Sequence, residues 1–144
     1  MRENNIQLML QLFRRIKHGV HRKHREMMDA YGIRGISCVY LGALSRKFPE
    51  GGTQKELSEA VHMDKAHTSR VIAALEEKGC VERMNESAVL NYKIRLTDKG
   101  REMAEVCERE MKVIEDKLSS VITEEEAEVL TEILKKLVKA AEEL

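Results

Sequence analysis

A mainly α-helical fold carrying one small β-hairpin is predicted by three observations. Residues 53–78 hold two short helical patterns separated by a joint of two residues. Residues 80–84 and 92–96 alternate in polarity as half-buried strands do, and both flanks repeat apolar residues at helical spacing. The first short helix is announced by Thr53-Gln54-Lys55-Glu56, in which threonine and the glutamate three residues later can satisfy two free backbone donors reciprocally. Leu57, Ala60 and Val61 then fall on one face. The second helix starts with Asp64 as its N-cap and runs from Lys65 to Lys78, with Gly79 where a left-handed stop costs least. Because only His62 and Met63 lie between them, the helices must cross sharply rather than run on, which is a helix-turn-helix.

On the second helix Val71, Ile72 and Leu75 form the stripe expected to be buried, while Lys65, His67, Thr68, Ser69 and Arg70 place donors near its N-terminal end. That end is suited to double-stranded DNA. Arginine donates two parallel bonds to guanine, hydroxyls bond base or phosphate, and a helix N-terminus favours phosphate. Thr53 and Gln54 at the start of the bracing helix, with Arg83, Lys93 and Arg95 on the hairpin, complete the set of candidate DNA-binding residues. The competing reading of any one of them is an ordinary solvated residue on an amphipathic element. The cluster beside so short a joint is what favours nucleic acid.

With Asn85 to Asn91 as the turn of the hairpin, the arrangement is a winged helix-turn-helix. Thr53 to Gly100 resembles the winged helix of the multiple antibiotic resistance regulator (MarR) family. The matching pieces are Gln54-Lys55-Glu56-Leu57, the run Ser69 to Gly79, Val81-Glu82-Arg83 and Leu96-Thr97-Asp98-Lys99-Gly100. Upstream, Tyr31-Gly32-Ile33 leading into Val39 to Leu44 is similar to the family's second helix. The resemblance implies a winged helix-turn-helix with N- and C-terminal dimerisation helices. One departure stands out. Counted back from Leu96-Thr97, the positions where the family usually carries an aspartate and a minor-groove arginine hold Ala88 and Leu90. Asn91, Lys93 and Arg95 are the polar neighbours left to substitute, and strand register decides which way each faces.

The flanks account for the remaining length of the 144-residue chain. From Asn4 to about Ala30, Ile6, Met9, Leu12, Phe13, Ile16 and Val20 mark a long amphipathic helix. Pro49 and Gly51-Gly52 break the chain before the helix-turn-helix. After Thr97 a second stripe runs from Met103 to Val121, and Thr123-Glu124-Glu125-Glu126 opens a last helix carrying Leu130, Ile133, Leu134, Leu137 and Ala141. Residues 1–32 and 98–144 are therefore expected to form a helical dimerisation region around a winged helix-turn-helix at 33–97, in one compact domain overall. A homodimer is the economical use of such stripes, with an intramolecular bundle as the alternative.

The net charge of zero hides an asymmetry. Residues 1–52 hold ten Lys/Arg against four Asp/Glu, 53–100 eight against eight, and 101–144 seven against thirteen. DNA binding would then depend on a local patch rather than on global attraction. With 42% hydrophobic but 3% aromatic residues, Leu, Ile, Val and Met must fill the core. No run spans a membrane and no secretory pattern opens the chain, so a cytoplasmic location without a membrane partner is expected.

Other chemistry is weaker. His18, His21 and His24 recur every third residue and are candidate metal ligands, though Arg22, Lys23 and Arg25 crowd them with positive charge. Cys80, directly after the second helix, is a candidate redox site that needs a lowered pKa and access. Cys38, Cys80 and Cys107 are odd in number and widely spaced, which argues for reduced buried thiols. No phosphate loop, metalloprotease motif or nucleophile elbow is present, so neither an enzyme nor a cofactor is expected. The sequence thus points to a homodimeric, sequence-specific transcription regulator, expected to repress at an inverted-repeat operator and to be released by a small-molecule effector or other signal. The alternatives are a protein-interaction winged helix and a metal- or redox-responsive variant of the regulator.

Overall fold

The computed structural model describes residues 2–84 and 92–144; the segment from Asn85 to Asn91, expected from sequence as the turn of the hairpin and holding Ala88 and Leu90, lies outside the described residues. The chain divides into two compact units, residues 1–110 and 111–144. The first contains α1 (Glu3–Asp29), α2 (Ser37–Arg46), β1 (Gly52–Thr53), α3 (Gln54–Val61), α4 (Lys65–Glu77), β2 (Val81–Met84) and β3 (Lys93–Leu96). It also holds the start of α5 (Asp98–Ser119), while the rest of α5 and α6 (Glu124–Ala141) belong to the second.

The predicted start of α3 forms as expected. Glu56 N donates to Thr53 Oγ1 at 3.1 Å, and Thr53 N donates to Glu56 Oε1 at 3.1 Å. The helix ends at His62, which turns the chain with φ of +56°, a left-handed conformation that non-glycine residues adopt at a cost. Its neighbour Met63 donates its N–H back to Ser58 O at 3.1 Å, so the joint stays tight. Asp64 then caps α4, its Oδ1 accepting from His67 N at 2.7 Å. At the other end Gly79 takes φ of +74° and Cys80 N bonds Leu75 O at 2.8 Å, turning the chain into β2.

Sequence patterning did not reveal β1. Gly52 and Thr53 pair antiparallel with Ile94 and Lys93, making β3 the centre of a three-stranded sheet ordered β1-β3-β2. Two residues are too few for period-2 alternation to register. Ile94 and Leu96 of β3 are buried, and Lys93 and Arg95 are exposed, which settles the direction of both basic side chains.

The core of the first unit is built around α2, which buries Ser37, Cys38, Tyr40 and Leu41 to Leu44. Leu57 of α3, Ile72 and Leu75 of α4 and Ile94 of β3 are each at most 2% exposed and join the same cluster. An internal α2 thereby fixes the two crossed helices and the base of the hairpin as one support. From α1 only His24 and Met28 are buried, whereas Ile6, Leu8, Leu10, Leu12 and Phe13 remain about half exposed. In the second unit, both hydrogen bonds of the Thr123–Glu126 capping box form. No residue of α6 is buried, and Val129, Leu130, Ile133, Leu134 and Val138 are exposed.

Burial, reinforced by the nearby charge of His21, holds the His24 imidazole below its ordinary value. The unfolded chain therefore binds this proton more readily than the folded one. The stability that neutral His24 contributes is complete above about pH 6.5 and is lost as pH falls through the lowered folded value. His24→Gln is expected to flatten that slope, measured as urea midpoints from pH 7.5 to 5; an unchanged slope would assign the pH dependence to other groups.

Candidate nucleic-acid interface

The buried face of α4 consists of Thr68, Val71, Ile72 and Leu75. Lys65, Ala66, Ser69, Arg70, Ala73 and Glu77 are exposed. At 3.6 residues per turn Ala66, Arg70, Ala73 and Glu77 share the outermost ridge, with Ser69 at its side. Arg70 thus stands between two alanines, whose small side chains let a partner surface come close to the backbone.

Thr68 corrects an expectation. Predicted as a DNA-contacting hydroxyl, it is 0% exposed, and its Oγ1 shares a hydrogen bond with Tyr40 OH at 3.2 Å. It lies three and four residues before Val71 and Ile72, so helix geometry places it on their side. His67 is partly buried: its Nδ1 lies 2.8 Å from Tyr40 OH and its ring stacks on Tyr40 with centroids 5.9 Å apart. Only the other side of the imidazole is left for an outside partner. Tyr40 thereby anchors the first turn of α4 to α2, and its own burial pushes the phenol pKa up.

Gln54 is where three elements meet. Its amide donates to Lys65 O at 3.2 Å, tying the start of α3 to the first turn of α4, and its Oε1 lies 3.5 Å from Tyr92 OH. Arg83 lies over the Tyr92 ring, 4.5 Å from the centroid, and pairs with Glu76 at 2.8 Å. Lys93 sits opposite Thr53 in the sheet. Thr53, Gln54, Lys65, Arg83 and Lys93 are therefore brought to one neighbourhood, whereas Arg95 pairs with Glu82 at 2.5 Å further along the hairpin. Both arginine pairs are exposed, and such pairs contribute about 0–1 kcal/mol, leaving each guanidinium cheap to redirect.

Two residues of this region escaped the sequence reading. Tyr92 is the aromatic platform under Arg83, and Arg34, exposed before α2, lines a shallow concavity with His67 and Arg70. The excess of basic residues in 1–52 was the available signal for Arg34. A larger cavity of about 530 Å³ lies between α1, the α2 entry and α4, lined by His21, His24, Arg25, Arg34, Val39 and His67 among others.

The remaining candidates are placed differently from a metal or redox centre. His24 turns into the core and His18 outward, and among the described residues no three His, Cys, Asp or Glu side chains gather where they could hold a metal. Cys80 is 0% exposed and lies 3.1 Å from Met103 Sδ; burial pushes its thiol up, against the lowered pKa that a sensor would need. Among the described residues no helix is long and apolar enough to cross a membrane.

A crossed pair of helices capped by Thr53 and Asp64, followed by paired antiparallel strands and an outward ridge bearing Arg70, defines a winged helix-turn-helix protein. Residues 50–87 match the MarR family. MepR of Staphylococcus aureus, solved in complex with DNA, is 25% identical with a TM-score of 0.75, over 91% of this chain and 96% of that one. A further structure of MepR, described as a transcription regulator of the multidrug efflux pump MepA, is 26% identical with a TM-score of 0.65, over 90% and 96% of the two chains. A MarR protein from Peptoclostridium difficile shares the fold at 23% identity and a TM-score of 0.79, covering 94% of this chain and 88% of its own. No curated protein matches in sequence. Together the family match over residues 50–87 and the likeness to MepR support a DNA-binding, winged-helix transcription regulator that is similar to the MarR family.

Proposed function

We infer that the protein is a homodimeric repressor that occupies an inverted-repeat operator through α4 and is released by a small-molecule effector. The observation that carries this reading is the outward ridge of α4, where Arg70 stands between Ala66 and Ala73, beside Ser69 and Lys65. A ridge with small residues around one arginine fits a major groove, and arginine reads guanine there. Gln54, Arg83 and Lys93 supply phosphate-directed groups beside it, and the DNA complex of MepR supports the same use of the fold.

Dimerisation is supported by two apolar surfaces, one in each unit. The N-terminal part of α1 leaves Leu8 55% and Phe13 50% exposed, and α6 leaves Val129 60% and Ile133 47% exposed. Apolar stripes of this extent on soluble chains mark association surfaces. Residues 1–32 and 98–144 are the dimerisation region in this reading, with the winged helix-turn-helix at 33–97. A chain ending before Thr123 is expected to sediment as a destabilised monomer; a folded dimer of that length would remove α6 from the interface.

The effector is assigned to the cavity of about 530 Å³ that shares His67 with α4. A ligand that fits this cavity better in one arrangement of the dimer shifts the balance between DNA-compatible and incompatible forms.

The test is a fluorescence-anisotropy titration against the DNA upstream of the coding region, with scrambled DNA as control, at two salt concentrations. Tighter binding to the native sequence that weakens steeply with salt is expected. Equal, weak and salt-insensitive binding by a folded dimer would overturn the operator reading in favour of a protein-docking winged helix. In the same assay Thr68→Val is expected to leave affinity unchanged while lowering stability by about 1 kcal/mol, the usual net value of one hydrogen bond. Lost affinity at unchanged stability would return Thr68 to the interface.

A further inference from the structure

Two sulfurs outside the nucleic-acid face join elements that are distant in sequence. Cys38 of α2 and Cys107 of α5 are 69 residues apart in the chain, yet their Sγ atoms lie 2.7 Å apart and share a hydrogen bond. Both thiols are free, and each is 4% exposed. A disulfide places its sulfurs about 2.05 Å apart, so closing one here moves them by less than about 1 Å.

The pair is also chemically coupled. A proton removed from it leaves a thiolate that the remaining S–H stabilises. The hydrogen bond shared with Cys38 holds the Cys107 thiol below its ordinary value, against the opposing effect of burial. The same bond, together with burial, pushes Cys38 up. The thiolate is the nucleophile in sulfur chemistry; with Cys107 as the thiolate, Cys38 resolves, and the geometry admits the reverse equally. Cys80 differs in its sulfur partner, Met103 Sδ, a thioether that cannot close a disulfide.

We propose that Cys38 and Cys107 form a dithiol oxidation site at which a peroxide closes an intrachain disulfide between α2 and α5, and a thiol reductant reopens it. In the first step the Cys107 thiolate attacks one peroxide oxygen. An S–O bond forms, the O–O bond breaks, and hydroxide leaves and takes up the proton lost by Cys107. In the second, Cys38 sulfur attacks the sulfenic acid: the S–S bond forms, the S–O bond breaks, and the departing hydroxide leaves as water with the Cys38 proton. Two thiols and one hydrogen peroxide thus give one disulfide and two waters, the sulfurs losing two electrons and the peroxide gaining them.

The link falls at a sensitive place in the support. Cys38 is two residues before Tyr40, whose hydroxyl holds His67 and Thr68 of α4. An oxidised chain therefore has α5 fastened to the helix on which the outward ridge is seated. The site stands on the sulfur geometry alone and does not depend on the operator reading.

The test treats the fully reduced full-length protein with hydrogen peroxide, quenches in acid, denatures, labels free thiols with a maleimide and maps the peptides by mass. Labelled thiols are expected to fall from three per chain to one, on Cys80, with the Cys38 and Cys107 peptides linked until dithiothreitol is added. Cys38→Ser and Cys107→Ser should each lose the link, and Cys80→Ser should keep it. Three labelled thiols after peroxide, a link between two chains, or a link that includes Cys80 would each overturn the proposal.

Discussion

Gly100→Ala is expected to destabilise the fold by about 3 kcal/mol or more, beyond the 1–3 kcal/mol typical of overpacking. A Cβ at this position would stand 1.9 Å from Cys80 O and 2.9 Å from Cys80 C, both backbone atoms. Neither can retreat easily, because the junction is held from several sides. Thr97 N donates to Cys80 O at 3.0 Å, and Thr97 Oγ1 donates to Gly79 O at 2.5 Å while accepting from Gly100 N at 3.1 Å. Lys99 Nζ donates to Lys78 O at 2.7 Å. The start of α5 is thereby clamped onto the turn that ends α4, and the glycine is the space that permits the approach. Gly19→Ala in α1 is the matched control. Among the described residues nothing lies within 4 Å of its Cβ position, so that substitution should stabilise by about 0.5–1 kcal/mol through helix propensity. Urea unfolding of the two variants beside the parent decides the matter; a Gly100→Ala midpoint equal to the parent's would show that the clamp yields.

Arg70→Ala is expected to lower operator affinity by about 5- to 150-fold, the 1–3 kcal/mol of one bidentate guanine contact, and with it most of the preference for operator over scrambled DNA. The side chain is exposed and no hydrogen bond or ion pair holds it among the described residues, so the melting curve and dimer content should not change. Lys93→Ala, by contrast, should weaken both DNAs alike and reduce the salt slope by about one, because a phosphate contact carries no sequence information. An Arg70→Ala protein that still prefers the operator at parental affinity would transfer base reading to Ser69 or Lys65.

Much of the support is legible in the sequence, wherever the controlling physics is local. Capping pairs separated by three residues, the two-residue joint and Gly79 act within one or two helical turns, and each element they delimit forms at the expected place. Where contacts are distant, patterning was silent or pointed the wrong way. Thr68 looked outward because it is polar, although its spacing from Val71, Ile72 and Leu75 already set it on the buried stripe. Its burial becomes tolerable only because Tyr40, 28 residues earlier, offers a hydroxyl. The strand at Gly52–Thr53 exists because β3 supplies its hydrogen-bond partners; by itself it is a glycine-containing turn.

The candidate interface divides along the same line. That α4 carries a basic N-terminal half is written in its residues. That Gln54 fastens it to α3 and meets Tyr92, that Arg83 rests on that ring, and that Lys93 and Arg95 face outward depended on strand register and chain crossing. By itself the sequence determined the helices, their caps, the hairpin and the outward arginine, because backbone capping and side-chain period act over a few residues. Only the tertiary structure decided the threonine's burial, the central position of β3, the shared seat of His67 and the meeting of Cys38 with Cys107. Each of those follows from packing separate segments around α2, a collective solution that no short window of sequence contains.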